Sequence, residues 1–312
     1  MEKRIVLSSN HRDRQGDVMA KEALEDAVVQ INGDLKLPWT VEHKRYLPPI
    51  GRIVNALIVE NGDHILLTAE TENFSVREEL DWNSALYIER FNEPAPFILD
   101  NAPVDKTTVS LDRSNFQSVE EYKAIIQEIS QLDDEVKVSS FMRKSLIPYP
   151  EIVIKVAEIW GLAHVLKPFA DKFGEKIAEK FAEDVYDGGK EQLKKFLNYV
   201  LGIVKVTRGR LIPKTRTTVF VFQVPGTPFV ELIVDDPDPL LLAKGLSQEE
   251  LNKVKEVIET FNLRYPVTKI QFILDNSGKW KLTFLLTATG NVIGDKAVFK
   301  ARDLLVSEVT LP

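Results

Sequence analysis

The chain has 312 residues, of which 44% are hydrophobic and 28% are charged. This composition is typical of a folded protein with a sizeable core, and the length suggests two domains. The chain contains no cysteine, which excludes disulfides and thiolate chemistry. Its net charge of -7 provides no general attraction to phosphate or anionic lipid, so nucleic acid is not an expected partner.

The first residues are charged and lack the apolar stretch of a secretory signal. The longest uncharged runs, 217–230 and 282–294, contain Pro or Gly. They are also shorter than the roughly 18 apolar residues that a membrane-spanning helix needs. The sequence therefore predicts no membrane span and a cytoplasmic location.

The first part of the chain is rich in strand patterns and contains few helices. We predict first a strand over Lys3–Ser8, then a helix over Ala20–Ile31 that stops at Asn32-Gly33, and then a loop over Pro38–Pro49. A hairpin follows, formed by Ile50–Glu60 and His64–Glu70 around Asn61-Gly62. Two further strands are predicted over Ser84–Phe91 and Thr107–Leu111, and a helix is predicted from Ser118, which has capping-box spacing to Glu121. Few helices among adjacent strands indicate an α+β domain over residues 1–145.

The pattern changes near residue 145, where Pro148 and Pro150 precede a long amphipathic stretch. Apolar residues recur every three or four positions from Ile152 to Phe181 and again from Glu191 to Val204, which predicts helices. The last third predicts strands over Thr217–Val224, Val230–Val234, Lys269–Leu274 and Trp280–Thr287, a helix over Leu251–Phe261, and turns at 276–278 and 289–291. We therefore predict a second domain, 146–312, in which amphipathic helices pack with a small antiparallel sheet.

The amphipathic helices carry aromatic residues among lysines, as membrane-surface helices do. Acidic residues are as frequent as lysines along them, which removes the attraction to anionic lipid. Packing in the core or against a protein partner is the favoured interpretation. The same apolar faces are also suited to a homo-oligomer.

Residue patterns for cofactors and metals are weak. The four histidines, at 11, 43, 64 and 164, lack the spacing of metal ligands, and no nucleotide-binding glycine loop occurs. Asp235–Pro239 is interpreted as a proline-stiffened turn, and the basic stretch 205–216 as a solvated loop. We expect no cofactor and no metal.

Two short segments in the first sixty residues carry the clearest functional signal. The first, SSNHRDRQGD, contains the turn Asp13-Arg-Gln-Gly16-Asp17, and the second, VEHKRYLPPIGRI, contains His43 before Pro-Ile-Gly. Together they resemble the opening of the phage prohead (capsid-maturation) serine proteases and related prophage-encoded protease-like proteins. Residues 109–115, VSLDRSN, are similar to the closing segment of that family without its Pro. The resemblance covers about residues 3–120.

The resemblance implies a prohead-protease-like fold and a serine endopeptidase that acts on protein substrates. His43 would be the general base, a serine on a later strand the nucleophile, and Asp13 or Asp17 would orient or brace the site. Such chemistry needs a hydroxyl within hydrogen-bond reach of the imidazole. Without the resemblance, the two aspartates are ordinary turn and helix-capping residues, and His43 is a surface histidine beside an acid.

The strand that should carry the nucleophile departs from the family pattern. It reads NSALYIERF over residues 83–91, with no glycine after a serine. One alignment places Ser84 at the nucleophile position, and a shift of three places Tyr87 there. Ser84 would make the protein a peptidase. Tyr87 would make it a catalytically inactive protease fold, such as an adaptor or a host–phage conflict component, that binds a protein partner.

Overall fold

The computed structural model describes residues 4–12, 18–41, 44–134, 136–141, 150–157, 191, 193–212, 214, 216–235 and 237–310. The chain divides into two compact units, one of residues 1–100 and 283–312 and the other of residues 101–282. Both contain helices and strands, which confirms the predicted α+β class. The division differs from the one predicted at residue 145, because the last strand and helix belong with the N-terminal residues.

The elements are numbered in chain order. The strands are β1 (Ile5–Ser9), β2 (Leu37–Trp39), β3 (Gly51–Asn61), β4 (His64–Asn73), β5 (Val76–Leu80), β6 (Asn83–Arg90), β7 (Thr108–Asp112), β8 (Lys137–Phe141), β9 (Glu151–Lys155), β10 (Val219–Val224), β11 (Phe229–Asp235), β12 (Val267–Leu274), β13 (Trp280–Thr287) and β14 (Val292–Asp295). The helices are α1 (Lys21–Asn32), α2 (Val119–Ser130), α3 (193–207), α4 (Pro239–Gly245), α5 (Gln248–Asn262) and α6 (Lys296–Thr310).

The first unit contains a four-stranded antiparallel sheet in the order β1-β4-β3-β2, covered on one face by α1. The predicted hairpin is confirmed: Asn61 pairs with His64 around a two-residue turn in which Gly62 has a φ of 60°. Helix α1 ends at Asn32, as predicted. The Asn32 amide bonds both backbone groups of Ala56, at 2.8 and 2.9 Å, where a bulge in β3 frees them from the ladder.

The remaining strands of the first unit pair in the order β5-β6-β14-β13, and the pairs are antiparallel where β6 meets β5 and β14. Their apolar face and α6 enclose an aromatic core. Its most buried members are Phe97, Phe284, Leu286, Val292 and Phe299. This core holds β6 and α6 together, and these two elements carry the site described below.

The second unit contains a mixed sheet in the order β12-β11-β10-β9-β7-β8. The parallel pairs are β7 with β8, β9 with β10, and β11 with β12. Parallel neighbours need a long crossover, and α2, α3 and the pair α4–α5 lie in these connections. Antiparallel pairing joins one parallel pair to the next.

The prediction of a helix beginning at Ile152 is wrong, because this residue lies in β9. Ile152, Val153 and Ile154 form a short apolar run that is buried on both faces of the sheet, and such a run has no period that distinguishes a strand from a helix. The rest of the predicted helix, from 158 onward, lies outside the described residues. The helix predicted to resume after 191 is α3, whose Phe196, Val200 and Ile203 are fully buried.

Helix starts follow the sequence closely. Ser118 Oγ accepts the Glu121 N–H of α2 at 3.1 Å, and the Glu121 carboxylate accepts the N–H of Gln117. Asp238 caps the short helix α4 by accepting the N–H groups of Leu240 and Leu241. No described helix is long and apolar enough to cross a membrane.

Candidate functional site

Most of the predicted catalytic residues cannot be placed. His43, Asp13 and Asp17 lie outside the described residues, so their roles stay predictions. Ser84 is described, near the start of β6. Ser110, in the segment that resembles the closing segment of the family, has its hydroxyl 2.6 Å from that of Ser139 on the neighbouring strand β8.

Ser84 is exposed, and its hydroxyl makes no hydrogen bond to any described residue. It lies in an irregular part of the ladder, where Leu80 pairs with Asn83 but Glu79 pairs with Tyr87. Residues 84–86 therefore bulge out of register with β5.

Tyr87, the other candidate for the nucleophile position, lines a cavity of about 480 Å³. The same cavity is lined by Arg77 of β5 and by Lys296, Lys300 and Asp303 of α6. Ala297 and Leu304, also of α6, supply an apolar part of the wall. The predicted strand thus presents its tyrosine to a cavity, and its serine is not among the residues that line this cavity.

The helix residues reach the cavity together because of their spacing. Lys296, Lys300 and Asp303 stand at positions i, i+4 and i+7, which lie on one face of a helix. Asp295 fixes the start of α6 by accepting the N–H of Ala297 at 2.7 Å. One side of α6 therefore presents two ammonium groups and a carboxylate toward β6.

Two cations flank the ring of Tyr87. Lys296 Nζ lies 4.8 Å from the ring centroid and the Arg77 guanidinium carbon lies 5.7 Å from it, both within cation–π range. Phe299 meets the ring edge-on, with the centroids 6.0 Å apart. The Tyr87 hydroxyl makes no hydrogen bond to any described residue, so it is available as a donor.

A buried ion pair lies beneath the cavity. Glu89 and Arg302 are each 3% exposed, and Arg302 donates to both Glu89 carboxylate oxygens, at 2.7 and 2.8 Å. Its other donors reach Asp303 and the carbonyl oxygen of Pro49. All five N–H donors of this guanidinium are therefore used.

Arg77 connects this buried pair to the cavity. It donates to Glu89 at 2.8 Å and to Asp303 at 2.7 Å. The hydrogen bond with Asp303 is the main cause of a raised pKa of Arg77, and burial acts in the opposite direction. For Asp303, burial acts to raise the pKa. Hydrogen bonds from Arg77 and Arg302 outweigh this effect, so the pKa of Asp303 falls below its ordinary value of 3.8. The hydrogen bond between Arg77 and Asp303 therefore favours the charged form of both groups.

The charges around the cavity do not balance. Lys296 is paired with Glu79, whereas Lys300 is exposed and forms no ion pair with any described residue. Four cations, namely Arg77, Arg302, Lys296 and Lys300, stand against three carboxylates, namely Glu79, Glu89 and Asp303. One positive charge, that of Lys300, is therefore left for a ligand.

The cavity residues other than Tyr87 were not predicted from the sequence. A signal was present: two lysines and an aspartate at helical spacing directly after a capping aspartate. Within the described residues, no group of three or more His, Asp or Glu side chains is arranged to hold a metal ion. Comparison of the chain with models of protein families, with curated proteins and with solved structures gives no match.

Proposed function

We propose that this protein is a catalytically inactive protein-binding protein, and that the cavity beside Tyr87 receives an acidic group of its partner. The observation that carries this proposal is the pairing of an available tyrosine hydroxyl with the unpaired cation Lys300 in one cavity. An anionic group entering there would meet a charge and a donor that no described residue already uses. The expected cytoplasmic location is part of the same proposal.

The chemistry of the cavity suits recognition of a protein. Tyrosine and arginine are enriched among the residues that dominate binding energy at interfaces, because they combine apolar area with directed hydrogen bonds. The volume of about 480 Å³ falls within the range of sites for small ligands and is large enough to hold a side chain of a bound peptide. The ion pairs beneath the cavity hold Arg77 in place and so reduce the ordering cost of binding.

The resemblance to prohead proteases is compatible with this proposal. With Tyr87 at the nucleophile position, the strand carries a phenol where the family carries a serine. The mechanism of that family depends on a serine hydroxyl that a histidine deprotonates, and a tyrosine at that position removes this nucleophile. We infer that the scaffold serves for recognition without cleavage.

The test is a selection from a random peptide library against the immobilised protein. Lys300→Glu reverses the unpaired charge, and Lys214→Glu makes the same change at an exposed lysine of the second unit. The wild-type protein and Lys214→Glu should enrich the same peptides, and Lys300→Glu should not. Equal enrichment by Lys300→Glu, or no enrichment by the wild type, contradicts the proposal.

A second candidate is the serine endopeptidase, with His43 as base, Ser84 as nucleophile and Asp13 or Asp17 orienting the site. It is favoured by the exposed Ser84 hydroxyl, which no described residue engages. Intact-mass analysis of the incubated protein and hydrolysis of labelled casein test it, with His43→Ala and Ser84→Ala as variants. Cleavage that both variants lose would establish the peptidase and overturn the binding proposal.

A further inference from the structure

Building on the proposed function, we propose that the cavity recognises the C-terminal end of a peptide, namely a single carboxylate whose own Cα carries an apolar side chain. This goes beyond binding an acidic partner, because it names both the charge of the ligand and the group beside it. The proposal depends on which donors in the cavity are already used, on the unpaired charge, and on the apolar part of the wall.

The donors of the cavity suit one carboxylate. The two guanidinium groups, Arg77 and Arg302, already hold Glu89 and Asp303. Lys296 is engaged by Glu79. The ammonium of Lys300 and the hydroxyl of Tyr87 remain, which is one donor group for each oxygen of a carboxylate.

The charge of the cavity points the same way. The surplus of one cation matches a singly charged group. A phosphate would bring nearly two negative charges and three acceptor oxygens, which exceeds the one free cation and the one free hydroxyl. It would also approach the carboxylate of Asp303. A carboxylate is therefore favoured over a phosphate.

The apolar wall explains why a side chain should accompany the carboxylate. Leu304 lines the cavity, and 55% of its surface is exposed. It lies one helical turn after Lys300, and Ala297 lies one turn before it, so apolar surface flanks the ammonium along the helix. An apolar side chain beside the bound carboxylate would cover this surface.

A peptide C-terminus places the two features on one carbon. The α-carboxylate and the last side chain both branch from the terminal Cα, so a Leu or Phe terminus can reach the Lys300 ammonium and the Leu304 surface at once. The carboxylate of an internal Asp or Glu is instead the end of its own side chain. The chain terminus is therefore the source to which the proposal commits.

The experiment measures dissociation constants for the full-length protein by ligand-observed NMR titration. The probes are N-acetylleucine, N-acetylleucinamide, the α-amide of N-acetylaspartate, and inorganic phosphate. N-acetylleucine should bind most tightly, and loss of its charge in the amide should weaken binding about tenfold, as expected for a charge-assisted hydrogen bond. Lys300→Met should weaken N-acetylleucine binding to a similar extent and Tyr87→Phe to a smaller one, whereas Lys214→Met should not change it.

Each other outcome has a definite meaning. Equal binding of N-acetylleucine and its amide, or tighter binding of phosphate, overturns the carboxylate assignment. Tighter binding of the aspartate derivative overturns the assignment to a chain terminus. In these cases peptide selection through Lys300 can still succeed, so the proposed function survives. If N-acetylleucine binds as expected but peptide selection fails, the carboxylate site stands and the protein-binding function falls.

Discussion

Each of the two units buries a glutamate in the middle of a strand, but in different surroundings. Glu89 of β6 is 3% exposed and Glu231 of β11 is 1% exposed. A carboxylate is costly to bury unless hydrogen bonds and opposite charges replace its lost water. Both glutamates have such partners, so the difference lies in the kind of partner and in where the partners lead.

Glu231 is bound by residues of its own sheet. Gln223 and Gln271 stand directly opposite it on the two neighbouring strands and donate at 2.9 and 2.8 Å, and Lys269 Nζ lies 2.6 Å from it. Two of the three partners are therefore neutral amides, and the third is an ammonium. We interpret this group as structural.

Glu89 lies in a network that continues outward. Arg302 binds it from within the core, and Arg77 binds it from the cavity side and continues to Asp303. Neutral amides fix a carboxylate without adding charge, whereas arginines bring charges that must be balanced further out. The comparison teaches that the Glu89 network holds the charged side chains of a cavity in place, whereas the residues around Glu231 supply partners to a carboxylate that is buried within a sheet.

The largest expected effect is that of breaking the buried ion pair of the first unit. Arg302→Met should lower the free energy of unfolding by about 3–5 kcal/mol, because it leaves Glu89 buried with only Arg77 as a cation partner. Urea denaturation measures it. The double variant Glu89→Leu with Arg302→Met should recover much of the loss, since no buried charge is then left at Glu89. A single variant within about 1 kcal/mol of the wild type would contradict this account.

The next largest expected effect is the difference in the free energy of unfolding lost when each of the two glutamates is replaced by glutamine. Glu89→Gln should cost about 3 kcal/mol, because it leaves a buried guanidinium short of its main anion. Glu231→Gln should cost about 1–2 kcal/mol, because the Lys269 ammonium is 13% exposed and the amide that replaces the carboxylate keeps an acceptor. Urea denaturation of both variants measures the difference. Equal losses, or a larger loss at Glu231, would remove the distinction between the two groups.

Acid should weaken the Glu89 network through Asp303. The pKa of Asp303 is lowered in the folded protein, so its contribution to stability is complete above the ordinary value of 3.8 and is lost as the pH falls through the lower folded value. The urea midpoint of the wild type should therefore fall as the pH goes from about 5 to about 3. Asp303→Asn should reduce this pH dependence, and Asp235→Asn, an aspartate of the second unit bonded by Thr217, provides the comparison. An unchanged pH slope in Asp303→Asn would show that the network draws no stability from this charge.

Elements with strong local signals were predicted from the sequence, whereas β5 and α6, which supply most residues of the site, were not. The Asn61-Gly62 hairpin and the capped helix α2 depend on residues close together in the chain, so their patterns are readable. Strand β5 reads Val-Arg-Glu-Glu-Leu, which has no apolar alternation, because most of it is exposed and its order comes from pairing with β6. Tertiary pairing supplies what the local pattern lacks.

Helix α6 was missed for a related reason. Its core-facing side includes Arg302, which is buried because Glu89 neutralises it, and a charged residue there interrupts the apolar stripe that predicts a helix. The cavity joins Arg77 to Asp303, which are 226 residues apart. No local pattern records such a contact, so the site could be found only after β6 and α6 had been brought together.

The smallest expected effect on stability is at two exposed residues, Lys300 of the proposed binding site and Ser84 of the alternative peptidase. Lys300 is exposed and Ser84 is exposed, and no described residue bonds either side chain. Lys300→Met and Ser84→Ala should therefore change the free energy of unfolding by less than about 0.5 kcal/mol, measured by urea denaturation beside Arg302→Met. A cation that contributes nothing to stability while its neighbours Arg77 and Lys296 are paired is one whose charge is free for a ligand. A loss of about 2 kcal/mol in Lys300→Met would instead mean that this lysine supports the fold, and the charge surplus on which the site depends would disappear.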